Sequence, residues 1–192
     1  MGSSATVKYP RFRRRWQRSP RSLWRSLLDL GVFAAAAALI LIGIRVLNQV
    51  TVAPGNVDVI DGDSLRRGKE EIRLYGIDAP EYRQTCRDEV GGDWDCGKEA
   101  ARALRRLVGG HIVACTGLDV DRYRRLVSRC EMGDLVINSE MVRLGWAIAN
   151  RRHGKLYLNE EEEARNAKRG IWRGPFDLPE DWRKIHRSNL SD

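Results

Sequence analysis

The sequence predicts an α+β protein: a small β-barrel with helices packed outside it, preceded by one apolar helix. Three observations carry that class. Short alternating runs bounded by turn residues come early, before residue 80. Segments with helical spacing follow, and two further strand-like runs stand between them instead of alternating regularly with them. A basic stretch and then an unbroken apolar run precede both.

The basic stretch occupies residues 1–26 and includes "KYPRFRRRWQRSPRSLWR". The apolar run goes from Leu30 to Ile44. With Asp29 and Arg45 at the two interfaces it extends to roughly 20 residues, enough to cross a bilayer. Residues 27–48 are therefore expected to form a transmembrane signal anchor. The positive flank would keep 1–26 in the cytoplasm and put the remainder outside the cell membrane, periplasmic or extracellular. The alternatives are secretion after signal cleavage and a helix buried in a soluble core. The net charge of +8 also belongs to this part of the chain. Residues 1–50 carry nine of the 34 Lys and Arg and one of the 26 Asp and Glu, which leaves 25 of each for the rest. Bulk charge does not make that remainder a nucleic-acid binder, so phosphate contacts must come from locally placed arginines. Residues 49–56, "QVTVAPGN", read as a linker, 57–184 as the domain and 185–192 as a tail.

Within the domain, "VDVIDGDSL" (57–65) alternates and then turns at Asp-Gly-Asp, and "EEIRLYGI" (70–77) completes a hairpin. "GKEAARALRRLVGG" (97–110) is a helix with Ala101, Leu104, Leu107 and Val108 on one face and two glycines at its end. "HIVACTG" and "RLVSRCEM" are strands around the loop "LDVDRYR". A second helix is expected over 134–146 and a third over 158–170, the latter capped by Asn159 with Glu160 to Glu163 solvated in its first turn. "GPFDLPEDWRK" (174–184) reads as an extended tail against the barrel. Trp94, Trp146 and Trp172 read as packing residues. Cys86, Cys96, Cys115 and Cys130 all follow the apolar run, and an even count there suggests two disulfides in an oxidising compartment. Three pairings are possible; the sequence-local one is Cys86–Cys96 and Cys115–Cys130, with free buried thiols as the alternative.

Three polar clusters remain: Asp61-Gly62-Asp63; Arg73 with Asp78 and Glu81 in "RLYGIDAPE"; and "DRYRR", Asp121 to Arg125. Singly, each has a plain account as a turn, a cap or surface strand residues. Together they fit phosphodiester hydrolysis. Asp63 and Asp78 supply hard oxygens for a divalent cation. Glu81 can take a proton from water or hold it in line. Arg73 and Arg125 can grip phosphate oxygens and offset the charge of the transition state.

In order along the chain, "VIDGDS", "IRLYGIDAPE", "CGKEAARAL", "DRYRRLVSR", "MVRLGWAIA" and "RNAKRGIW" resemble the staphylococcal nuclease (thermonuclease) family, over roughly residues 56–175. The form it is most similar to is the exported or membrane-anchored bacterial one. The resemblance implies an OB-type five-stranded barrel with three helices. It implies calcium-dependent cleavage of DNA and RNA that leaves 3′-phosphate ends. It also implies Asp63, Asp78 and the backbone carbonyl of Ala79 as calcium (Ca2+) ligands, Glu81 acting on the attacking water, Arg73 and Arg125 on the phosphate, and Tyr123 near the nucleotide. Ser64 replaces a usual threonine, and Arg124 stands where the family pattern has glycine. An arginine there is strained if the turn needs a positive φ. Partners expected on this reading are a nucleic-acid substrate and the membrane, with the chain acting as a monomer. The alternative is a non-catalytic module of the same fold that binds nucleic acid or a protein partner at the cell envelope.

Overall fold

Turn chemistry and β-alternation place the strands much as expected, yet the sheet they build stays open. The computed structural model describes residues 20–47, 51–153 and 155–188; the basic segment up to residue 19 and the last four residues of the tail lie outside them. The chain divides into two units, Met1–Asn48 and Gln49–Asp192. In the first, α1 runs Pro20–Leu47, and its large apolar side chains from Leu27 to Ile42 are exposed. Among the described residues no helix is long and apolar enough to cross a membrane. The transmembrane helix expected over 27–48 is therefore not supported.

The second unit contains, in order, β1 (Thr51–Gly55), β2 (Asp58–Val59), β3 (Ser64–Arg67), β4 (Glu70–Leu74), β5 (Ile77–Asp78), β6 (Cys86–Arg87), β7 (Asp93–Trp94), α2 (Cys96–Val108), β8 (Val113–Val120), β9 (Leu126–Met132), β10 (Leu135–Val136), α3 (Ile137–Arg143), β11 (Ile148–Ala149), α4 (Leu158–Asn166) and α5 (Pro179–Ser188). Short 3-10 turns cover Arg151–His153 and Gly170–Arg173. The main sheet has the order β1-β8-β9-β4-β3-β2, with β10 added to β9. Only β4 and β9 run parallel; the other pairs in it are antiparallel. Because β1 and β2 end the order, the five-stranded OB-type barrel expected takes the form of a curled half-barrel with helices packed on it.

Several local expectations need correction. Residues 51–55, assigned to a linker, form β1 on the free side of β8. Pro54 is tolerated there because an edge strand need not donate on both sides. The helix expected over 134–146 is confined to α3, since Leu135 and Val136 pair with β9 as β10. The "extended tail" of 174–184 contains the start of a helix, α5, with Pro179 at its first position and Glu180 and Asp181 in its first turn. Asn159 does not cap α4, whose N-cap is Tyr157. Glu161 is not solvated: it is buried, accepts from the Ala149 N–H at 2.6 Å and pairs with Arg151 at 2.6 Å.

Both sequence-local disulfides form, Cys86–Cys96 and Cys115–Cys130. The second joins direct cross-strand partners of β8 and β9. The core gathers Leu65, Ile72 and Leu74 from the β3–β4 hairpin and Ile77 of β5 with Leu104 of α2 and Ile137, Met141 and Val142 of α3. A smaller cluster places Cys86, Cys96 and Ile171 against Trp94, Trp172 and Phe176. Trp94 meets Trp146 edge-on at 6.2 Å and Trp172 meets Phe176 at 5.1 Å, which is packing geometry. One buried amide ties the layers together. Asn138 of α3 accepts from the Cys130 N–H at 2.9 Å and donates to the carbonyls of Tyr75 and Ser128, so it binds β9 to the end of β4.

Candidate active site

The β3–β4 hairpin sets the first part of the site. Its register puts Ser64 opposite Arg73, so Asp63, at the head of β3, lies beside the guanidinium. The turn before it packs tightly: a Cβ on Gly62 would come within 2.7 Å of the Ala79 methyl and 2.8 Å of the Ala100 methyl. Only glycine lets Asp61 and Asp63 settle this close to α2 and to the corner that follows β5.

Asp63 is buried and fully engaged. Its Oδ1 accepts from Arg73 Nη1 at 2.9 Å and from the Ser64 hydroxyl at 3.0 Å, and its Oδ2 accepts from the Ala79 N–H at 3.1 Å. Asp78, also buried, sits on β5, which β11 fixes through the Asp78–Ile148 pairing. Arg73 Nη2 reaches Asp78 Oδ1 at 2.7 Å. The guanidinium of Arg73 thus bridges the two carboxylates expected to hold a cation.

The corner Asp78–Glu81 is held from below by Gln84, a fully buried side chain. Its Oε1 accepts from the Glu81 N–H at 3.2 Å, and its Nε2 donates to the Asp177 carbonyl at 2.7 Å. The Gln84 carbonyl accepts from the Gly97 N–H at the start of α2 at 3.2 Å. A Cβ on Gly97 would stand 1.8 Å from the Glu81 carbonyl oxygen, so glycine is required for α2 to approach the corner.

A second guanidinium enters from a distant segment. Arg183 of α5 donates from Nη2 to Asp78 Oδ2 at 2.8 Å, and from Nη1 to Asp78 Oδ1 at 3.1 Å and Glu81 Oε1 at 2.7 Å. Neither Arg183 nor Gln84 stands out in the sequence as a site residue. The helix-start signature Pro-Glu-Asp at 179–181 marks a helix there, but nothing local says where it docks.

The corner holds more negative charge than its arginines settle. Burial, then the neighbouring charge of Asp63, pushes the Asp61 carboxyl up to about 7. Burial, with the Asp63 charge, also raises Asp78 above its ordinary value despite Arg183 and Arg73. Asp63, above all, drives the Arg73 guanidinium further toward its charged form.

Arg125 stands near this group but is engaged elsewhere. Ile72 pairs with Leu126 and Arg73 with Val127 across the parallel β4–β9 ladder. Arg125 therefore lies two positions from the partner of Arg73, roughly 7 Å along the strand. Its Nε and Nη2 both donate to Asp121 Oδ2 at 2.7 Å. Asp121 also organises the turn through Oδ1, which accepts from the N–H groups of Tyr123 and Arg125, each at 2.9 Å. Burial alone would raise the Asp121 carboxyl, but the Arg125 and Tyr123 bonds outweigh it and hold it below its ordinary value. Arg124 adopts φ 67°, so the arginine in the glycine position does carry the left-handed backbone anticipated from the sequence. Tyr123 is exposed, with the Arg122 and Arg125 guanidiniums 4.9 and 5.5 Å from its ring centre.

The structure thus brings Asp63, Arg73, Asp78, Ala79 and Glu81 together, and places Tyr123 and Arg125 on the adjoining turn. Two buried carboxylates with surplus negative charge fit a hard divalent cation in donor type and charge. Among the described residues, no group of three or more His, Cys, Asp or Glu is placed to hold a metal ion, so backbone or water oxygens would have to complete any coordination shell.

Comparison with known proteins adds an independent line. A family model described as staphylococcal nuclease homologue matches residues 71–174. The chain is 37% identical over 122 residues to the succinoglycan biosynthesis protein ExoI of Rhizobium meliloti (strain 1021), covering 62% of this chain and 64% of that protein. It is 33% identical over 133 residues to the "probable staphylococcal-like nuclease CAN2" of Oryza sativa subsp. japonica, covering 68% of this chain and 33% of that one. It is 31% identical over 144 residues to an "uncharacterized endonuclease" of Haemophilus influenzae, covering 70% of this chain and 75% of that protein. The chain thus spans less than two thirds of the length of the first two.

Proposed function

The chain belongs to the staphylococcal nuclease family, and on that premise we propose that it is a calcium-dependent nuclease hydrolysing phosphodiester bonds of DNA, RNA or both. The observation that carries the reading is the convergence of Asp63, Arg73, Asp78 and Glu81 at one corner, where Arg73 pairs with Asp63 and Asp78, and Arg183 with Asp78 and Glu81, at 2.7–2.9 Å. Two of the three relatives are named for nuclease activity.

In this reading Asp63 and Asp78, with the Ala79 carbonyl, hold the cation. When bound, calcium offsets phosphate charge and orients water. The Glu81 carboxylate, beside Asp78, accepts the proton of the attacking water. Water oxygen bonds to phosphorus while the bond to the 5′-oxygen breaks, and the departing oxygen takes a proton from solvent, leaving a 3′-phosphate and a 5′-hydroxyl. Arg73 is held in place by Asp63 and donates to a phosphate oxygen as charge accumulates there. Arg125 does the same from the neighbouring strand once substrate competes with Asp121 for its guanidinium. Tyr123 stands on the exposed side of that turn, where the nucleotide would pass.

The second reading, a non-catalytic module of the same fold, draws on one observation: both Arg125 and Arg183 are already engaged by carboxylates. Digestion of plasmid DNA and of RNA by the full chain, in calcium and then in excess chelator, separates the two. The nuclease reading expects cleavage in calcium that stops on chelation. A folded chain that binds nucleic acid equally well in chelator and never cleaves it would support the module instead.

A further inference from the structure

Helix α5 lies beyond residues 71–174, the part matched by the family model. It nevertheless delivers a guanidinium to the two carboxylates assigned above to cation and water. The geometry is specific. Arg183 meets Asp78 as a fork, Nη1 on Oδ1 at 3.1 Å and Nη2 on Oδ2 at 2.8 Å, while Nη1 also holds Glu81 at 2.7 Å. Bidentate guanidinium–carboxylate pairs are the strong class of ion pair. Little else on α5 is buried: Asp181, Lys184, Ile185 and His186 are exposed, and His186 stacks on Trp182 within the helix at 3.8 Å. Outside the site, α5 is also held by the Arg152–Glu180 ion pair and the buried Pro179.

We propose that Arg183 is the internal counter-ion of the cation site, competing with the divalent ion for Asp78, so that cation binding releases α5. This rests on the reading that Asp63 and Asp78 carry the cation. Both Asp78 oxygens face the Arg183 fork, and the same oxygens cannot serve a hard cation without weakening it. Two positive groups a few ångströms apart also repel, strongly so where water is partly excluded. Arg73 takes one oxygen of each carboxylate, Asp63 Oδ1 and Asp78 Oδ1, and leaves the second oxygen of each to other partners, whereas Arg183 covers both oxygens of Asp78. The counter-ion therefore lowers cation affinity while offsetting part of the corner's negative charge until a cation arrives.

A helix merely docked by a salt bridge makes the opposite forecast, and this decides the test. Calcium titration calorimetry on the full chain and on Arg183→Gln, each checked for folding by circular dichroism, is expected to show roughly tenfold tighter calcium binding by the variant. Arg183→Lys keeps the charge without the fork and is expected to fall between the two. Hydrogen exchange over residues 179–188 is expected to accelerate when calcium saturates the unsubstituted chain, and to be fast in Arg183→Gln with or without calcium. Equal or weaker calcium binding by folded Arg183→Gln, or unchanged protection of 179–188 on saturation, would overturn the competition while leaving the cation site standing. Calcium uptake by neither chain would overturn the cation site as well.

Discussion

The carboxylate corner and the arginine turn both pair aspartate with arginine, yet their electrostatics run in opposite directions. At the corner, burial and mutual repulsion lift Asp61 to about 7 and raise Asp78. At the turn, two N–H groups and one guanidinium hold Asp121 below its ordinary value. The corner is short of positive charge and fits an added cation. The turn is internally settled, and its arginine must be drawn away from Asp121 before it can serve a phosphate.

The largest expected contrast between the two regions is catalytic. Glu81→Gln removes the proton acceptor and should lower turnover by about 10³-fold with little change in stability. Arg125→Ala removes one of two phosphate donors and should lower it by about 10²-fold. Single-turnover cleavage of a defined oligonucleotide ranks them, and an Arg125 effect exceeding that of Glu81 would break the comparison.

The next contrast is in stability against pH, measured by urea unfolding without calcium. The folded Asp61 carboxyl titrates near 7, above its ordinary value of 3.8. Between those two pH values the folded chain holds a proton that the unfolded chain lacks, so stability falls as pH rises through that range. Asp61→Asn should therefore stabilise the chain by about 2 kcal/mol at pH 8 and leave it unchanged near pH 4. A smaller gain is expected at the turn. Arg124 sits at φ 67°, and Arg124→Gly should raise stability by about 1 kcal/mol through relief of left-handed strain. The smallest effect is Asp121→Asn. Because the folded carboxyl lies below its ordinary value, its contribution is present at neutral pH and is lost as pH falls through the folded value. The substitution should cost a few tenths of a kcal/mol at pH 7 and nothing under strong acid. A pH dependence of the same sign at Asp61 and Asp121 would erase the distinction between the regions.

The corner was largely legible in the sequence because its parts are local. Asp63, Arg73 and Asp78 lie within one hairpin and the turn after it, and alternation fixes which side each faces. The two disulfides were legible for the same reason, each closing a short loop. Arg183 was not, because it meets Asp78 across 105 residues, and only packing decides where an amphipathic helix lands. β1 was hidden by Pro54 and Gly55, which punctuate a linker as readily as an edge strand. Glu161 was misread because its run of acids suits a solvated first turn, while its burial comes from Ala149 and Arg151 beyond the helix.

A crystal structure of the full chain with calcium and a nucleotide bisphosphate tests the central claim most directly. The account predicts calcium on the carboxylates of Asp63 and Asp78, and a phosphate between the guanidiniums of Arg73 and Arg125, with Arg125 withdrawn from Asp121. A phosphate seated away from this corner, with Arg125 still closed on Asp121 and no ion on Asp63 and Asp78, would contradict it.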